Sequence, residues 1–250
     1  MTKKIFLALL LSVLMMNGYS QTKTVVLDVS HETDSTYKHS NPNIFKQYKD
    51  IVENGIGANL IINHYMELNG DMLRKADVLI ILSPLDRNRK TPKNDLTTLE
   101  RESVVNYVKN GGKLIIFMDE EHRVDMEKFG GNDILKPFGM EYGLDLPMKS
   151  NIGATSVVLE IVGEMYELSY SGSRSLSGGT PISYRNGEDK QVHGAYVKLE
   201  NGGTIAAFGE TMTGLFMGGI TMTLTSGMTI TWRGKDDQTF IKELIKGMLR

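Results

Sequence analysis

The chain has 250 residues, a formal net charge of −2, 40% hydrophobic residues and no cysteine. This composition excludes disulfide stapling, thiolate metal sites and thiol nucleophiles, and it offers no basic surplus for nucleic acid or an anionic membrane. The length suits one large domain with a substantial buried core.

Residues 1–20 read as an address. Lys3 and Lys4 precede an uncharged apolar run over 5–16, and Gly18 and Ser20 occupy the −3 and −1 positions of a cleavage site before Gln21. This is the pattern of a secretory signal peptide, and the run is shorter than the roughly twenty apolar residues that span a bilayer. The expectation is an exported protein, periplasmic or extracellular, with residues 21–250 forming a single domain and no integral membrane segment. Lipid attachment at a processed N-terminal cysteine is excluded.

The first half of the mature chain alternates strand and helix signals. Residues 24–29 (TVVLDV) form a short strand, and 43–54 carry Ile44, Phe45, Tyr48, Ile51 and Val52 at helical spacing before Gly55 and Gly57. A second strand covers 58–62, a short helix lies within 67–75, and 78–82 (VLIIL) form a third strand. Thr97 and Glu100 fit a capping box that opens a helix ending at Gly111-Gly112, and 113–118 follow as a strand. Strands apolar at nearly every position need cover on both faces. Repeated β-α-β order then predicts an α/β fold with a doubly wound, mainly parallel sheet, flavodoxin-like or amidotransferase-like.

The second half predicts a short helix over 132–142, limited by Pro137, and strands over 155–162, 165–170 and 180–184. Residues 196–199 and 204–208 flank Glu200-Asn-Gly-Gly203, a hairpin signal. These later strands are expected to extend the same sheet as an antiparallel addition. The Ser/Gly-rich stretch 171–179 lacks P-loop spacing and reads as a flexible turn. Residues 214–227 carry no clear signal. A terminal helix covers 236–249, with Phe240, Ile241, Leu244, Ile245 and Met248 on its apolar side.

In an open parallel sheet, ligands bind beyond the carboxyl ends of the strands. The residues to inspect there are His31, Asp86, Arg87, Asp119, Glu120, His122 and Glu210. They allow three chemistries. One is a polar or acidic ligand met by Arg87 or His31. Another is acid–base hydrolysis by a carboxylate pair such as Glu120 and Glu210. The third is a divalent metal held by His31, His122, Asp119 and Glu210, although no compact ligand motif supports it and no cofactor is predicted. Polar strand ends that only face water explain the same residues. No G-x-S-x-G elbow is present. Met212, Met217, Met222 and Met228 read as packing rather than soft-metal ligands, and Trp232 and Tyr184 as core rather than sugar platforms.

Three stretches carry a family resemblance: ADVLIILSP (76–84), TTLERESVVNYVKNGGKLIIF (97–117) and AAFGETMTGLFMG (206–218). The chain resembles a class I glutamine amidotransferase-like domain over roughly residues 24–250. The closer likeness is to an exported branch from Bacteroidota that accompanies unsaturated-uronyl hydrolases in polysaccharide degradation. True members use a Cys–His–Glu set, and this chain has no cysteine. The resemblance therefore implies a largely non-catalytic domain that binds a ligand or a protein partner, such as a carbohydrate or a glycoside hydrolase. A hydrolase of acidic sugars and a structural accessory subunit of an envelope complex are the alternatives.

Overall fold

The computed structural model describes residues 22–31, 41–83, 96–121, 123–147, 152–170, 173–215, 217, 221–223, 227, 229–231 and 235–250. The signal-peptide reading, Asp86, Arg87, His122 and Trp232 lie outside them.

The elements in chain order begin with β1 (Thr24–Asp28) and α1 (Ile44–Lys49), which runs on as a π-helical segment (Asp50–Ile56). Then come β2 (Asn59–Asn63), α2 (Gly70–Leu73), β3 (Val78–Ile81), α3 (Thr98–Lys109) and β4 (Lys113–Phe117). Next are α4 (Met126–Phe129), α5 (Gly131–Leu135), a 3-10 turn (Lys136–Phe138), β5 (Glu141–Asp145), β6 (Ala154–Ser156) and β7 (Glu167–Leu168). The chain closes with β8 (Arg174–Ser177), β9 (Thr180–Arg185), β10 (Val192–Lys198), β11 (Thr204–Phe208), α6 (Met212–Leu215), β12 (Thr221–Thr223), β13 (Thr229–Thr231) and α7 (Asp237–Met248).

One sheet of nine strands runs in the order β2-β1-β3-β4-β11-β10-β9-β6-β7. The first five strands are parallel and the rest are joined antiparallel. The fold is thus mixed α/β with a mostly parallel centre. Alternate residues along each central strand point to opposite faces, and each face has its own core. Val25, Leu27, Ile80, Phe117 and Phe208 pack with Tyr48 of α1 and Phe240 and Leu244 of α7. Val26, Leu79, Ile116 and Ala207 pack with Met72 of α2, Val104 and Val108 of α3, and Ile134 of α5. This two-sided burial is why VLII and LIIF carry no polar position.

The hairpin read at 200–203 is β10–β11, in register from Lys198↔Thr204 to Gly194↔Phe208. A Cβ on Gly194 would lie 2.4 Å from the Phe208 ring, so this crossing of strand and aromatic requires glycine.

The second half departs from expectation in three places. The Ser/Gly stretch contains β8 rather than a turn alone, because Arg174 and Leu176 point inward while Ser175 and Ser177 face outward. β8 pairs with β5, a strand missed behind the helix predicted over 132–142; that helix ends at Leu135, and Gly139 follows in a left-handed conformation. The strand predicted over 155–162 stops at Ser156, leaving only an isolated bridge between Leu159 and Val162. Among the described residues, no helix is long and apolar enough to cross a membrane.

Candidate functional site at the carboxyl edge

Two buried imidazoles, each held by carboxylate, flank the carboxyl ends of the parallel strands. The first is His31, just past β1. Its Nδ1 lies 2.6 Å from Asp28 Oδ2 and its Nε2 lies 3.1 Å from Glu100 Oε1. Asp28 also accepts from the Ser30 hydroxyl at 2.7 Å and from Asn63 Nδ2 at 2.8 Å. Glu100 is positioned by the predicted capping box: Thr97 N and Thr97 Oγ1 both donate to Oε2, while Leu68 N donates to Oε1. Burial pulls the His31 pKa down, but the hydrogen bonds and charges of Asp28 and Glu100 outweigh it and raise the imidazole to about 9. Burial likewise raises Glu100, yet His31 and the donors of Thr97 and Leu68 hold it down to about 2. The result is an imidazolium enclosed between two carboxylates, tying β1 to the start of α3.

The second imidazole is His193, which sequence reasoning missed. Its Nε2 lies 2.8 Å from Glu210 Oε1 and its Nδ1 lies 2.7 Å from Ser183 Oγ. Ser183 and Glu210 are fully buried and His193 is 1% exposed. Glu210 also accepts from Met212 N at 2.6 Å, Thr213 Oγ1 at 3.0 Å and Thr213 N at 3.3 Å. With the proton on Nε2, the ring donates to Glu210 and accepts from the Ser183 hydroxyl. A hydrolytic triad places serine on Nε2 and the acid on Nδ1, with the hydroxyl open to substrate. Here the order is reversed and the hydroxyl is enclosed, so the chain of hydrogen bonds joins β9, β10 and β11 and presents no nucleophile.

Between these two systems sits Asp119, beyond β4. Its backbone N–H donates to Ser83 Oγ at 3.0 Å, and its Oδ1 accepts from Glu120 N at 2.8 Å. Its Oδ2 is buried without a partner among the described residues. Burial pushes this carboxyl up to about 7 against the pull of Arg123, and the charges of Glu120 and Glu210 push the same way. Glu120 faces Arg123 Nε at 3.3 Å. Arg174 fastens the turn, donating from Nε to Asp119 O at 2.6 Å and from Nη2 to Val124 O at 2.9 Å and Glu121 Oε2 at 2.5 Å. Asp237, at the start of α7, accepts from Ser169 N at 2.8 Å; burial pushes it up to about 7, and the Glu210 charge adds to this.

The predicted residues therefore fall into two groups. Asp119, Glu120 and Glu210 share one region beyond β4 and β11, close enough for Glu120 and Glu210 to raise Asp119. His31 stands beyond β1, where its ring nitrogens meet Ser30, Asp28 and Glu100. Among the described residues, no group of three or more histidine and carboxylate side chains is arranged to hold a metal. His193 had a signal. Extending the hairpin register from Lys198↔Thr204 puts His193 opposite Gly209, whose N–H donates to His193 O at 3.0 Å, one residue from Glu210.

No protein-family model matches the chain, and no curated protein matches it. Among solved structures it is similar to the mmIFT52 N-terminal domain, at 14% identity over 91% of this chain and 97% of that one, with a TM-score of 0.57. It is also similar to the exo-beta-1,4-mannosidase Op5Man5 from Opitutaceae bacterium strain TAV5, at 12% identity over 78% of this chain and 32% of that one, with a TM-score of 0.47. A ThuA-like protein from Bacteroides uniformis aligns at 11% identity over 93% of each chain, with a TM-score of 0.49. The first likeness speaks to fold alone, and the other two are too distant to carry an argument.

Proposed function

We propose that the chain is an exported, amidotransferase-like domain, doubly wound in the flavodoxin manner, that binds a polar ligand at its carboxyl edge in polysaccharide processing, without thiol chemistry. The observation that carries the reading is Asp119: a buried carboxyl oxygen with no partner among the described residues, at the edge where open α/β sheets take their ligands. An unpaired buried acceptor is costly, and a ligand hydroxyl or amine would relieve it. His31 has no donor left for an acidic group, because both of its ring nitrogens already face carboxylates, so the ligand is expected to bring hydrogen-bond donors of its own. The test is a thermal-shift screen of the mature chain against neutral and acidic oligosaccharides and divalent ions. A ligand should raise the melting temperature by linkage, and Asp119→Asn should weaken that rise at least tenfold in apparent affinity. If no member of the panel shifts the wild type, the accessory-subunit reading takes its place. Mass spectrometry of secreted protein beginning at Gln21 would test export.

A second reading, hydrolysis of a glycoside, is favoured by the proton that Asp119 keeps up to about pH 7, the property of a general acid. Glu120 and Glu210 are the other carboxylates of this region. Turnover surviving in Asp119→Asn and in Glu210→Gln would remove this reading.

A further inference from the structure

The opposite edge of the sheet carries a cleft of about 620 Å³ between α2, α3 and the starts of β1 and β4. That volume lies within the range of small-molecule sites. Its charged lining is Lys23, Arg74, Lys113 and Asp77, with the amides of Asn106 and Asn110 beside them. Asp77 is already engaged, accepting from Lys23 Nζ at 2.8 Å and from Thr24 N at 2.8 Å. Arg74 pairs with Asp71. Lys113 forms no ion pair among the described residues. It stands between Lys23 and Lys198, and beyond it a smaller hollow of about 180 Å³ is lined by Lys198 and Arg250, with Glu160 as its carboxylate. Burial lowers the Lys113 pKa, and the like charges of Lys23 and Lys198 lower it further against the attraction of Asp77.

We infer that this amino-edge cleft is a second binding site, for a small polar molecule bearing an oxyanion (a carboxylate or a phosphate) that pairs with Lys113 and Lys23. The C-terminus of α3 faces the same edge, and its partial negative charge opposes an anion. Here that end is capped. Val108 O accepts from Gly111 N at 3.0 Å, Tyr107 O from Gly112 N at 2.9 Å, and Lys109 O from Asn201 Nδ2 at 2.7 Å. Gly111 takes the left-handed φ of 96° that this cap needs. With these carbonyls occupied, the unneutralised ammonium dominates the cleft. The asparagine amides would read the polar body of the ligand. The site is independent of the carboxyl-edge reading and stands or falls separately from it.

The experiment is titration of the mature protein with inorganic phosphate and, separately, with galacturonate, at constant ionic strength with chloride as the control, followed by calorimetry and amide chemical shifts. Saturable binding of at least one probe is expected, with shifts at Asn106, Asn110 and Lys113; whichever probe binds more tightly identifies the oxyanion. Lys113→Met should weaken it at least tenfold at an unchanged melting temperature, Lys113→Arg should retain it within a few fold, and Asp119→Asn should leave it unchanged. Absence of saturable binding by both probes overturns the inference. So does equal binding of chloride, or binding that survives Lys113→Met.

Discussion

At the carboxyl edge of the sheet, His31, Arg123, Arg174 and Arg185 each face a carboxylate; at the amino edge Lys113 stands between two other lysines. The difference shows how one sheet can pair its cations at one end and leave one without an ion-pair partner among the described residues at the other. The carboxyl edge spends most of its charge on itself: two imidazoles bridge neighbouring strands and helices, and among the described residues one buried carboxyl oxygen on Asp119 and one on Asp237 are left over. The amino edge holds its surplus cation beside an open cleft. Polar groups that are buried and mutually bonded fix structure, whereas polar groups left without partners are where a ligand gains binding energy.

The sharpest way to break this contrast is at His193. His193→Ala leaves the Glu210 carboxylate buried without its imidazole, and it should cost about 3–5 kcal/mol in urea denaturation, as the loss of one partner of a buried pair does. A loss below about 1 kcal/mol would mean that the network does not hold the antiparallel half to the parallel one. Next comes His31→Gln, expected to cost about 3 kcal/mol near pH 6. The folded protein keeps the His31 proton to about pH 9 against an ordinary 6.5, so this contribution is complete below pH 6.5 and fades as the pH rises through 9. The variant and the wild type should therefore converge toward pH 9; parallel curves would exclude the imidazolium. Glu100 reports the same pairing from the acid side, present above pH 4.5 and lost as the pH falls through 2, and the two shifts are not added.

Asp119 acts in the other direction. Its carboxyl holds a proton to about pH 7 when folded but only to 3.8 when unfolded, so its burial destabilises increasingly as the pH rises between those values. Asp119→Asn should leave stability near pH 4 little changed and raise it at pH 8 by roughly 1–3 kcal/mol. Stabilisation of equal size at both pH values would sink the assignment. The smallest effect belongs to the other edge: Lys113→Met should change stability by no more than about 0.5 kcal/mol, because the attraction of Asp77 for this partly exposed charge is offset by the repulsion of Lys23 and Lys198.

The parallel half was legible because its signals are local and redundant. VLII and LIIF are apolar throughout, and Thr97 with Glu100 marks the start of α3 by a motif whose two hydrogen bonds are both present. The antiparallel half was harder, because β6, β7 and β8 are only two to four residues long and carry Ser and Arg at inward positions that a composition reading assigns to turns. Arg174 is legible as core only once Asp119 O and Val124 O are seen to receive it. The site split in the same way. Asp119 and Glu210 follow strands that the sequence marks, so topology alone brought them to one edge. The enclosure of His31 depended on Glu100, a residue readable as a cap and, in three dimensions, also the partner of an imidazole from a distant strand.

The place of β11 has a consequence for the order of assembly. It lies in the middle of the sheet, hydrogen-bonded to β4 with Thr204 beside Lys113 and Phe208 beside Phe117, yet it is the last strand of that sheet to be made. Until the ribosome has passed Phe208, β4 presents a bare edge and His193 has no Glu210. A contact of such long sequence separation closes slowly. The two halves of the sheet must therefore wait for one late segment, and a nascent chain stopped before Thr204 is open at the centre rather than at its rim.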